Sequence, residues 1–225
     1  LAEIKASGCT SLTELVLASA TNLTSLDVSN CTALTNLDIS TLMNLEVFQA
    51  CSAGITMLSN DSTCLNFSYN PKLKEIYVND LTSFTEINLT ANTELEKFIY
   101  DLMPMTTIDL SNCVSLQNFQ TGGSNVTSLD FSNCPDIFRI INHSSSALTA
   151  INVSGCTKLC DLSLLRSNNV SSVDITNAGT EVEVGAYVAD KYLVFTTTAG
   201  STTETTLQEA EGWNDSIMYM SNERL

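Results

Sequence analysis

The side chains able to do chemistry are few and oddly placed. One histidine, His143, stands in the run NHSSS of a 225-residue chain. A serine–histidine–carboxylate relay needs that imidazole beside an activated serine, and no GxSxG-type elbow accompanies it. Eight cysteines invite a disulfide or zinc reading. Zinc, however, wants CxxC-like pairs or several histidines, so no metal site is expected. Paired carboxylates for glycoside hydrolysis must flank a cleft roughly 5–9 Å apart. Asp109 and Asp130 recur at one repeat position instead. That position alternates with Asn, and no DxDxDG loop occurs, so calcium is disfavoured too. No Gly-rich phosphate loop opens onto a helix. The expectation is a protein that is not an enzyme and has no cofactor.

The cysteine spacing leads to the elements that hold these groups. Residues 23–33 read LTSLDVSNCTA, 105–115 MTTIDLSNCVS, 126–136 VTSLDFSNCPD, 148–158 LTAINVSGCTK and 84–94 FTEINLTANTE. Looser segments lie between them: LEKFIYDLMP at 95–104, LQNFQTGGSN at 116–125, IFRIINHSSSA at 137–147 and LCDLSLLRSNN at 159–169. One regular half plus one variable half recurs every 21–22 residues, and such self-similarity is the signature of a solenoid. Apolar residues at the fourth and sixth positions point to one side of a strand. A single turn cannot bury that face, so the turns must stack.

Cys9, Cys31, Cys113, Cys134 and Cys156 share the ninth position with Asn70 and Asn92. There the chain turns inward, and a small apolar thiol or a hydrogen-bonding amide both fit. The expectation is one buried structural ladder of these seven residues, its thiols free. Stacked turns lie about 4.8 Å apart with parallel side chains, which suits no disulfide along the ladder.

The register slips once, near 58–64, where about seven extra residues predict a protruding loop. Cys51 and Cys64 flank it, either paired or as free thiols. The pattern holds over 1–178. Residues 179–225 depart from it and are expected to form a C-terminal cap over the open end, which would otherwise expose apolar side chains and strand edges.

In the regular halves Asp27, Asp109, Asp130 and Asp174 alternate with Asn66, Asn88 and Asn152 in one outward slot. This monotony suits a scaffold, with side chains bonding up and down the stack. The variable halves diversify outward instead, presenting Glu75 and Tyr77, Lys97 and Ile99, Asn118 and Gln120, then Arg139, Ile141 and His143. Aromatic, aliphatic and Arg surface is what interface cores favour. These nine residues are the expected binding face.

Nine Lys and Arg against 25 Asp and Glu give a net charge of −16. That opposes binding to nucleic acid and to anionic lipid. No apolar run approaches the roughly 18–20 residues of a membrane span. The start carries no signal-peptide features and already fits the repeat, so the chain reads as a mature or trimmed fragment. The N-x-[ST] triplets at Asn30, Asn88 and Asn152 arise from the repeat and are poor evidence for glycosylation.

The pattern L-x-x-L-x-L-x-x-[NC]-x-x-L, filled by Leu23, Leu26, Val28, Cys31 and Leu34 and again by Val126, Leu129, Phe131, Cys134 and Ile137, resembles the leucine-rich-repeat family. It is similar to the internalin-type and Bacteroidetes varieties of bacterial surface and secreted proteins. The resemblance implies a mostly β, right-handed solenoid with few or no helices on its convex side. It also implies an extracellular or cell-surface location and adhesion to a protein or glycan partner. The alternative role is a structural spacer within a larger surface protein.

Overall fold

In this computed structural model, described residues are 1–164, 167 and 169–179, together with the backbone of strands at 183–186, 193–197 and 217–221. Strands are numbered β1 to β18 in chain order. A nine-stranded sheet takes one strand from every turn: β1 (Glu3–Lys5), β2 (Ser25–Asp27), β4 (Val47–Cys51), β7 (Glu75–Asn79), β9 (Lys97–Asp101), β10 (Asn118–Gly122), β12 (Arg139–His143), β14 (Asp161–Leu164) and β16 (Glu183–Ala186). Every pairing is parallel. The intervening half-turns carry shorter strands, β3 (Asn36–Leu37) with β5 (Met57–Leu58) and β6 (Cys64–Asn66) with β8 (Glu86–Asn88). A five-stranded sheet follows, of β11 (Ser128–Asp130), β13 (Ala150–Asn152), β15 (Ser172–Asp174), β17 (Leu193–Thr197) and β18 (Ile217–Ser221). Among the described residues there is no helix. The chain is a parallel β-solenoid with turns of about 22 residues.

Both sides share one interior. On β9 and β10, Phe98 and Phe119 point inward, 5.7 Å apart between ring centroids. Phe119 also meets Phe131 of the opposite side at 5.0 Å. Phe48 meets Phe67 across the coil in the same way, at 5.4 Å. All five rings are completely buried. Each turn therefore closes an apolar layer that its neighbours cover, and burial of this kind dominates folding.

One pairing of the nine-stranded sheet departs from the ordinary offset. Lys97 pairs with Asn118 and Asn118 with Arg139 at the ordinary offset, whereas Val47 pairs with Glu75, 28 residues on. The extra residues form a tight hairpin between β5 and β6. Leu58 and Asp61 exchange backbone hydrogen bonds of 2.8 and 3.0 Å around Ser59 and Asn60. Both turn residues have positive φ, 48° and 66°, the type I′ geometry that suits a two-residue hairpin. Asp61 then accepts from the Thr63 and Cys64 N–H groups, which starts β6. Cys51 lies on the nine-stranded sheet and Cys64 on the opposite side, and both are free thiols.

The outward Asp and Asn residues of the regular half-turns serve the turns rather than the stack. Asp38, Asp109, Asp130 and Asp174, with Asn66, Asn88 and Asn152, each accept the N–H two residues ahead at 2.9–3.1 Å. Such a bond closes the bend that follows the strand. Bonds between turns come from other groups, among them the Thr24 and Thr149 hydroxyls, which donate to Ala2 and Thr127 carbonyls at 3.0 Å. Asp27 makes the same local bond but belongs to the nine-stranded sheet, not to the side of the other members.

The expected cap over 179–225 falls mostly outside the described residues. Within that span β16 pairs with β14, β17 with β15, and β18 with β17, all in parallel.

Candidate binding face

The outward positions of the nine-stranded sheet form columns, because neighbouring strands pair in strict register. Glu75, Lys97, Asn118, Arg139 and Asp161 make the first column. Tyr77, Ile99, Gln120, Ile141 and Ser163 make the second, and Asn79, Asp101, Gly122 and His143 the third. Burial alternates strictly along β7, β9 and β12, outward residues being half-buried and inward ones buried. The structure thus brings all nine expected residues onto one surface.

Charges on this surface are answered within it. The Tyr77 hydroxyl donates to Glu75 and accepts from Lys97 Nζ at 3.1 Å, and that ammonium lies 5.6 Å from the Tyr77 ring centroid. Burial, then the bond to Glu75, raises the Tyr77 pKa, while the bond to Tyr77 chiefly raises that of Lys97. Arg139 Nε bonds Asp161 Oδ2 at 2.9 Å. These half-exposed pairs are worth at most about 1 kcal/mol each. They hold long side chains in place and leave Ile99 and Ile141 between them.

His143 and Asp101 approach to 3.8 Å across the intervening strand. Gly122 makes this geometry possible. A Cβ there would lie 2.3 Å from His143 Cε1 and 2.6 Å from Asp101 Oδ1. At the end of the same strand column Leu102 has φ 50° and is 56% exposed. Its counterparts in other turns are Gly8, Asn30, Ser52, Asp80, Gly123 and Ser144, also at positive φ. Leucine fits that conformation least well of these.

Sequence reasoning missed the edge where strands begin. Glu96, Gln117 and Phe138 precede β9, β10 and β12, and with Glu75, Lys97 and Asn118 they line a shallow hollow of about 310 Å³. Phe138 is exposed there. Counting outward positions only within strands passes over the residue before each strand.

The ladder residues occupy two edges, not one. Asn70, Asn92, Cys113, Cys134 and Cys156 follow the opposite-side half-turns, whereas Cys9 and Cys31 follow β1 and β2 of the nine-stranded sheet. Both half-turns have about eleven residues, so the motif can change sides without altering the coil. On the first edge each amide clamps the rung before it. Asn70 Nδ2 donates to the Ile39 and Leu42 carbonyls at 2.9 Å, and Asn92 Nδ2 to Phe67 and Asn70 at 3.3 and 2.8 Å. Cys156 Sγ reaches the Phe131 carbonyl at 3.2 Å, and on the second edge Cys31 Sγ reaches Ala6 at 3.0 Å. Cys31, Cys113, Cys134 and Cys156 are buried, but Cys9 is exposed because no described turn covers it. Burial pushes the thiols of Cys113, Cys134 and Cys156 up to about 12. Among the described residues no group of three or more His, Cys, Asp or Glu could hold a metal ion, and no helix is long and apolar enough to cross a membrane.

No family model matches the chain, and no curated protein matches it. Solved structures do. The functional domain of InlJ from Listeria monocytogenes, which includes a cysteine ladder, is 18% identical with a TM-score of 0.40, over 83% of this chain and 56% of that one. The Toll–Spatzle complex of Drosophila gives 10% and 0.28, over 81% and 42%. A leucine-rich repeat protein from Bacteroides ovatus gives 12% and 0.25, over 98% and 87%. The chain spans about half the length of the first two.

Proposed function

We propose that the chain is a non-enzymatic binding module that offers its nine-stranded face to a protein or glycan partner. The observation carrying this reading is the alignment of Tyr77, Ile99, Gln120 and Ile141 in one column, flanked by Glu75, Lys97, Asn118 and Arg139. A rigid sheet with a mixed aromatic and aliphatic centre and polar borders has the make-up of an interface core and rim. Its charges are already positioned by their own partners, so little ordering entropy remains to be lost on binding. Strands about 4.8 Å apart make the described face roughly 35 Å long, enough for a standard interface. Export to the cell surface, an adhesive role and the buried Cys and Asn ladder as a family trait are supported by the motif's resemblance to bacterial surface repeats.

The test is a binding screen of the whole chain against extracellular proteins and glycans, repeated with Tyr77→Ala/Arg139→Ala. Each anchor is expected to weaken the bound partner at least about tenfold. Unchanged affinity for every partner found would remove the patch. A chain that binds nothing in the screen would favour the spacer role, which the self-paired charges of the face also suit.

A further inference from the structure

Behind the middle of the face the apolar interior gives way to polar side chains. Tyr100, Thr121 and Asn142 point inward from β9, β10 and β12 in register, and Ser124, Ser145 and Ser167 follow at the adjoining edge. All six are at most 4% exposed. The same two columns are apolar in earlier turns, with Ala50 and Val78 in one, Ala53, Leu81 and Met103 in the other. Four atoms of this cluster lack a hydrogen-bond partner: Tyr100 Oη, Thr121 Oγ1, Asn142 Nδ2 and Ser145 Oγ. Only Ser167 spans a turn, its hydroxyl lying 3.3 Å from the Asn142 carbonyl and 3.4 Å from Asn142 Oδ1. Burial pushes the Tyr100 phenol up to about 12, against the opposing pull of the neighbouring Ser124 and Thr121 hydroxyls.

We infer that this cluster is a binding site for ordered internal water, a short column held between three turns of the coil. Distance carries the argument. Rungs stack about 4.8 Å apart, too far for the direct hydroxyl bond of about 2.8 Å but within the span of one water bonded to both sides. On the opposite edge the longer Asn70 and Asn92 amides cross that gap unaided. The Ser167 hydroxyl also crosses it, to the Asn142 carbonyl, whereas the Tyr100, Thr121 and Ser145 hydroxyls meet no acceptor of a neighbouring turn. The orphaned set includes both hydroxyls and an amide donor, and water answers either need. Four such atoms, at roughly three bonds per buried water, call for one or two molecules. The column backs Gln120, Ile141 and Gly122, yet the inference does not depend on what the face binds.

A high-resolution crystal structure of the whole chain tests it. Density peaks within hydrogen-bond distance of at least two of the four atoms are expected. Direct pairing of those atoms with one another or with backbone, and no peak between them, overturns the inference. Water magnetic relaxation dispersion gives a second reading in solution, comparing the native chain with Thr121→Val/Ser145→Ala. The native chain is expected to hold at least one more long-lived water than the variant, which keeps only Tyr100 Oη and Asn142 Nδ2 of the four atoms. Equal numbers in a folded variant overturn the inference, and if the variant fails to fold, the native crystal structure decides.

Discussion

The two sides of each turn are built from half-repeats of nearly equal length, yet they spend their residues differently. On the nine-stranded side β4, β7, β9, β10 and β12 run five residues, and their outward columns differ from turn to turn. Opposite, β6, β8, β11, β13 and β15 run three, and each ends on an Asp or Asn that caps its own bend. The short side turns the chain and has its polar slots committed to that task. The long side closes its backbone bonds through the sheet and leaves its outward side chains free to vary. What both sides hold in common is the interior, where Phe119 touches Phe98 of one and Phe131 of the other.

Removing that shared contact should have the largest effect. Phe119→Ala is expected to lose about 3–5 kcal/mol in denaturant unfolding, whereas the outward Tyr77→Ala should lose about 1 kcal/mol or less. Similar losses would mean that the face carries the fold. The buried thiols give the next effect, through pH. Their folded pKa is raised, so the neutral form is the one the native state prefers. Stability is then fully present below the unfolded thiol value near 8.5 and falls as pH rises from there toward about 12. The slope should approach about 1.4 kcal/mol per pH unit for each thiol. Replacing Cys113, Cys134 and Cys156 with Ala should flatten the alkaline limb of the unfolding profile.

A smaller contrast separates rungs of one edge. Asn92→Ala strands the Phe67 and Asn70 carbonyls and should cost about 1–3 kcal/mol. Cys134→Ala gives up a 3.9 Å contact and should cost about 1 kcal/mol or less by the same measurement. Smallest is a gain: Leu102→Asn relieves a left-handed leucine and should raise stability by about 0.5–1 kcal/mol. A loss there would show that the exposed Leu102 side chain packs usefully.

Much of this contrast was legible in the residues. Alternation of period two placed Glu75, Tyr77, Lys97, Ile99, Arg139 and Ile141 outward, since a strand with one buried face leaves no other choice. Leu65, Phe67 and Asn70 restore the motif after the longer stretch that precedes them. The side on which Cys9 and Cys31 lie did not show, because half-repeats of equal length make the two edges equivalent in sequence. Nor did the Asp and Asn caps, since a side chain that bonds two residues ahead and one that bonds a turn ahead leave the same pattern. The Phe138 hollow depends on how residues before three successive strands come together, a matter of tertiary placement alone.

The claim beneath all of this is that both half-turns wind around a single shared interior, with Cys31 and Cys134 inside it on opposite edges. Pulsed alkylation of the native chain, read cysteine by cysteine by mass spectrometry, tests that most directly. Cys9 and Cys160 should label at once, and Cys31, Cys113, Cys134 and Cys156 only as fast as the whole chain unfolds. Labelling of Cys31 or Cys134 at the pace of Cys9 would contradict it.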